Sequence, residues 1–139
     1  MTATPFNQKT IDEFHAKNSR GVGPWGDNLL LMTSKGAAGG DITTPLVNRR
    51  EGESYVVIAS KGGAPDDPGW YTNVQANPEV DIEVPADGGT RHVTVRARVT
   101  TEPERSRLYA YMTEAWPAFA DYTTKTDRVI PVVVLEPVD

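Results

Sequence analysis

The chain of 139 residues predicts a mainly β protein with flanking helices, about six mostly antiparallel strands curled into a small barrel and three helices. Three observations carry this expectation. Short apolar or alternating runs recur at 28–33, 42–50, 54–60, 79–84, 90–101 and 129–137, separated by glycine, proline or acidic turns. Helical character is confined to three stretches, at the start, in the middle and near the end. A sheet of that size with so few helices must curl to cover its own inner face.

The elements follow in order. Thr4-Pro5 supplies an N-cap and a first helical residue, and Phe6, Ile11 and Phe14 form a partial apolar stripe, so a helix is expected over 5–18. Gly21, Gly23, Pro24 and Gly26 make a loop centred on Trp25, and the apolar run at 28–33 reads as a buried strand. Residues 34–41 are too glycine-rich to extend it. The next strand, 42–50, contains Pro45, which cannot donate to a ladder and so marks an edge or a bulge. Glu51-Gly52-Glu53 makes a tight connection to 54–60, Ser-Tyr-Val-Val-Ile-Ala-Ser, whose unbroken apolar character predicts burial on both faces.

A helix start is expected around Pro68, with Trp70 and Tyr71 close behind it. In 79–84, Val80, Ile82 and Val84 share one side; residues 85–89 read as a hairpin turn. The returning strand, 90–101, places Val93, Val95, Ala97 and Val99 inward and His92, Thr94, Arg96 and Arg98 outward. Thr101 and Glu104 match a capping box, and Leu108, Tyr111, Met112 and Ala115 recur at helical spacing. Trp-Pro-Ala-Phe-Ala-Asp-Tyr breaks that helix, and 129–137 closes the chain as a strand whose Pro131 argues for another edge or bulge.

Composition narrows the function. The length suits one domain spanning 1–139. A formal net charge of −5 argues against a broad nucleic-acid surface. No apolar run approaches the ~20 residues of a membrane span, and the N-terminus lacks the basic and apolar regions of a signal peptide, so a cytoplasmic protein is expected. The absence of cysteine removes thiol nucleophiles, disulfides and cysteine-bound metal sites. His15 and His92 lie on different elements and read as surface residues; no serine–histidine–acid set and no metal site is visible. Such a chain performs chemistry through a bound cofactor or not at all.

The residues that invite a ligand are few. Ser60-Lys61-Gly62-Gly63 follows a strand and can form an anion-binding nest or a simple loop. Lys35-Gly36 and Gly39-Gly40 make a second lysine–glycine loop, so the two together can close on a phosphorylated ligand. Trp70 and Tyr71 either stack on a planar ring or anchor their helix. Trp116, Phe119 and Tyr122, spaced by three, share a helical face that either walls a flat apolar pocket or fills the core.

The strings LLLMTS…GG…TTPLV, YVVIASKGGAPDDPGWYTNVQANPEV and WPAFADYTTKTDRVIPVVVLEP resemble the deazaflavin-dependent nitroreductase family of actinobacteria, from Phe6 to Pro137 in a consistent order. The resemblance implies a split β-barrel of the flavin-reductase type and coenzyme F420, an 8-hydroxy-5-deazaflavin. It also implies hydride transfer to nitroimidazoles, quinones or activated C=C bonds, with a small-molecule substrate. By position, it lays the coenzyme ring against Thr43, Thr44, Pro45, Leu46, Ala59, Ser60, Lys61 and Gly62, completed by Pro68, Trp70, Tyr71 and Asn73. Trp25, Trp116, Phe119 and Tyr122 face the substrate, and a proton comes from Tyr122, Tyr71 or water.

Two departures stand out. Where the family carries an Arg-Lys-Ser-Gly-like string, this chain has Gly36-Ala37-Ala38-Gly39, and Ile42 rather than arginine precedes Thr43. Only Lys35 remains to meet the coenzyme's acidic tail. The alternatives are an FMN-dependent oxidoreductase of the same fold and a non-catalytic carrier, as monomer or homodimer.

Overall fold

The computed structural model describes residues 5–17, 28–35, 40–60, 68–86, 89–126 and 129–138. Helix α1 (Pro5–Ala16) precedes β1 (Leu29–Lys35), β2 (Asp41–Val47), β3 (Arg49–Glu51) and β4 (Ser54–Ile58). Then come α2 (Gly69–Ala76), β5 (Glu79–Ala86), β6 (Gly89–Val99), α3 (Glu104–Ala115), α4 (Ala118–Lys125) and β7 (Val132–Pro137). The seven strands form one antiparallel sheet in the order β2-β1-β5-β6-β7-β4-β3.

The run expected as one strand over 42–50 is broken at Asn48, and this break closes the barrel. β2 and β3 stand at opposite ends of the sheet order, yet only Asn48 separates Val47 from Arg49. Two sheet edges one residue apart require the sheet to curl round on itself. Asn48 is buried, and its backbone N–H and its side-chain Nδ2 both donate to the carbonyl of Asn28, at 2.9 and 3.0 Å. A side chain that mimics the backbone at a strand break keeps the donors satisfied where the ladder stops. The following β3–β4 hairpin turns through Gly52, whose φ of +61° favours glycine.

Pro45 lies in β2, an edge strand, as its missing donor demands. Pro131 does not make β7 an edge. β7 sits between β6 and β4, and Pro131 precedes its first residue, accepting from the Ala59 N–H at 3.0 Å through its carbonyl. A proline just outside the ladder withholds no donor from it.

β4 is buried on both faces. Tyr55 and Val57 join Leu30, Met32, Val80, Ile82, Val95 and Leu135 inside the barrel; Val56 and Ile58 face an outer layer with Leu108, Met112 and Phe119. Each fully buried valine or leucine contributes up to about 1.5–3 kcal/mol. Trp70 and Val74 of α2 plug one end of the barrel, while Ile11 and Phe14 of α1 cover Leu29 and Leu31 on its outside. On β6, Val95 and Ala97 point inward, but Val99 is 37% exposed, because Ala97 is the last β6 residue that the inner layer reaches.

The expected capping box at Thr101 and Glu104 does not form. Glu102 takes that role, its carboxylate accepting from the Ser106 N–H at 3.0 Å and from Arg105 at 2.9 Å, while Glu104 turns to Arg98 at 2.7 Å. The helix expected as one near the end is two: Trp116 closes α3 and Pro117 opens α4, because a proline lacks the N–H that would continue α3. That brings the described helices to four.

Candidate active site

A cleft of about 370 Å³ opens on the outer face of the barrel, between its seam and α4. Pro45, Leu46 and Val47 of β2 form one wall, Ile58 and Ser60 at the end of β4 the floor, and Trp116, Ala118, Phe119 and Tyr122 the other wall. Three aromatic rings reach it because α4 begins two residues after Trp116 and returns Phe119 and Tyr122 to the same side. Phe119 and Tyr122 meet edge to face at 5.6 Å, and Phe119 meets Tyr109 similarly at 6.3 Å. The Tyr109 hydroxyl donates to the Phe119 carbonyl at 2.5 Å, so α3 holds α4 in place from behind.

The cleft gathers Pro45, Leu46, Ser60, Trp116, Phe119 and Tyr122 from the expected site. The others stand elsewhere. Ala59 is fully buried on the barrel side, and Trp70 is buried there too, so its role in the fold is to fill the core. Tyr71 packs edge to face on Trp70 at 6.3 Å, outside the cleft lining. Asn73 donates from Nδ2 to the Ser34 hydroxyl at 3.3 Å, tying α2 to β1. The hydroxyls of Thr43 and Thr33 lie 3.0 Å apart on neighbouring strands. Thr44 is half-buried on β2 and Pro68 half-buried as the N-cap of α2. Lys35 is paired with Asp41 at 3.2 Å, both more than half exposed. Trp25, Lys61, Gly62 and the 36–39 segment lie outside the described residues.

Val47, Ile58 and Ala118 were not foreseen. The first two carry a signal: Ile58 shares the face of Ser60, two residues away on the same side of an extended chain, and Val47 shares that of Pro45. Ala118 carries none, because its exposure to the cleft depends on where α4 starts.

One polar atom stands out. The Trp116 indole N–H is buried and has no hydrogen-bond partner among the described residues. Buried donors are nearly always paired, and leaving one unpaired costs about 1–3 kcal/mol. The rest of Trp116 lines the slot, whose aromatic walls suit a flat ring. The residues present fit a flat ring such as a deazaflavin or a quinone-like acceptor.

The sequence profile of the F420H(2)-dependent quinone reductases matches residues 8–137. The chain belongs to this family. Membership makes it an F420H2-dependent oxidoreductase with coenzyme F420 as its cofactor. An F420H(2)-dependent quinone reductase of Mycobacterium tuberculosis is 40% identical over 110 residues, covering 78% of this chain and 72% of that protein. The solved structure of an F420-H2 dependent reductase is 39% identical with a TM-score of 0.69, covering 78% of this chain and 94% of its own. Another, described as a domain-swapped dimer, is 34% identical with a TM-score of 0.71 over 93% of each chain. The split barrel of the flavin-reductase type is thus the fold of this quinone reductase family member.

Proposed function

We propose that this chain passes a hydride from reduced coenzyme F420 to a quinone, or to a similarly flat, electron-poor carbonyl acceptor, held in the cleft between β2 and α4. The observation that carries the reading is the aromatic-walled cleft between β2 and α4. When bound, coenzyme F420 supplies the hydride from C5 of its reduced ring.

The protein's own residues bind, orient and keep the reaction dry. Pro45, Leu46 and Ser60 would hold the edge of the coenzyme ring, while Val47, Ile58 and Phe119 exclude water, which strengthens every polar contact within. Holding both partners in one cleft would remove the entropy of a bimolecular encounter. With its indole turned toward the cleft, the Trp116 N–H would donate to an acceptor carbonyl oxygen and stabilise negative charge there. The Tyr122 hydroxyl would then give that oxygen its one proton and regain it from water, and the quinone would leave as a hydroquinone. One hydride plus one proton balance the two-electron reduction.

The absence of an Arg-Lys-Ser-Gly-like string at 36–39 removes two or three charge-assisted contacts to the coenzyme's acidic tail, each worth about 1.5–3 kcal/mol when well made. The expected outcome is weak coenzyme binding with the ring position retained. The test is direct: protein, reduced coenzyme F420 and menadione together should lose the reduced coenzyme faster than the same mixture without protein. No acceleration across a panel of quinones, enones and nitroimidazoles removes the activity. Tryptophan fluorescence titrated with coenzyme F420, with FMN as control, separates failure to bind from failure to react.

A further inference from the structure

At the barrel end opposite α2, two adjoining hollows of about 450 and 190 Å³ share Arg50 and Tyr55 in their walls. α2 plugs the end where β1 finishes, as the Asn73 to Ser34 bond shows. The other end, where β1, β4 and β6 begin, has no helix across it among the described residues. β7 stops at Pro137, opposite Val95, while β6 starts at Gly89, so residues 89–94 run past the end of their neighbour. Arg91 and Arg50 both line the larger hollow.

The charge there is unusual for a chain with a net charge of −5. Arg49, Arg98, Arg105 and Arg107 are each paired with a carboxylate. Arg50 and Arg91 have no such partner among the described residues, although Glu53 lines the same hollow. Arg50 is also preset: its guanidinium lies 4.4 Å over the buried Tyr55 ring and donates to the Gly52 carbonyl at 3.3 Å. A planar cation fixed on an aromatic face keeps its remaining N–H groups free in a fork that matches a phosphate or carboxylate. Arg91 stands opposite Val84, on the face that Val93 and Val95 turn to the barrel.

We propose that this mouth is a second ligand site, for a small polyanion bearing phosphate or carboxylate groups, with Arg50 and Arg91 as its two cationic arms and Glu53 as a brake on affinity. It is independent of the coenzyme reading. Tyr55 and Ser60 mark the two ends of the same extended stretch, about 16 Å apart at ~3.3 Å per residue.

The test is calorimetric titration of the full chain with pyrophosphate and, separately, with citrate, which distinguishes phosphate from carboxylate recognition. Binding of at least one is expected, weakening as salt rises. Arg50→Gln and Arg91→Gln should each weaken it about 10-fold or more, the loss expected for a hydrogen bond to a charged group. Glu53→Gln should tighten it a few-fold, and the amide resonances of residues 91–94 should shift on titration. Arg96→Gln is the control, an exposed arginine outside the hollow. Absence of binding by both anions, full binding in the double arginine variant, or an equal loss in the Arg96 variant overturns the proposal. Melting temperatures confirm that each variant is folded.

Discussion

Trp116 and Tyr122 can be perturbed with the cleft kept aromatic, and the two substitutions have different signatures. Trp116→Phe removes a buried N–H without a partner among the described residues. The freed donor no longer destabilises the apo protein, which offsets the loss of ring area, so stability should fall by no more than about 1 kcal/mol. The Kd of the acceptor should nevertheless rise about 10-fold; a large loss of stability with unchanged Kd would mean the indole only packs. Tyr122→Phe keeps a half-buried ring that Lys125 faces at 5.5 Å, and removes only the hydroxyl. Its kcat should fall about 10-fold or more, with little change in coenzyme Kd, since a positioned acid contributes 10²–10⁴ and water recovers part of it. Equal kcat in wild type and variant, followed by stopped-flow loss of reduced coenzyme, assigns the proton to another donor.

Among the elements, the joint between β2 and β3 is the part whose failure is easiest to predict. Asn48→Ala deletes the Nδ2 bond to the Asn28 carbonyl in a site only 8% exposed. It should cost about 1–2 kcal/mol, read as a lower urea midpoint at unchanged slope. The same joint marks the limit of what the sequence reveals. Alternation and apolar runs locate every strand, because side-chain period is local. Whether one run is two strands on opposite edges is a matter of closure, decided by residues far apart in the chain. Tyr55 to Ile58 was legible as doubly buried; the capping of α3 was not, because Thr101 and Glu102 are both capable and only the tertiary partner Arg98 draws Glu104 away. At the site, the aromatic triplet was visible from its spacing. That Trp70 belongs to the core was not, since an aromatic near a helix start reads the same whether it faces a ligand or a barrel.

For the molecule as a whole, acid should loosen the seam between α1 and the sheet. Burial pushes the Glu83 carboxyl up, but donation from Thr90 at 2.6 Å and from His15 at 2.9 Å, with the nearby imidazole charges, outweighs it and holds the group below 4.5. A carboxylate with a depressed folded pKa contributes its full stability above the unfolded value and loses it as pH falls through the folded one. Stability should therefore decline below about pH 4.5, and Glu83→Gln should flatten that slope; an unchanged acid profile by circular dichroism would clear this contact of the role. The wall shared by the two apolar layers has a broader consequence. Ile58 floors the cleft while Val57, one peptide away, belongs to the barrel interior. Occupancy of the slot is thereby wired to global cooperativity: a bound ring should slow deuterium uptake not merely at the mouth but along β7 and into β6, turning ligand affinity into resistance to proteolysis.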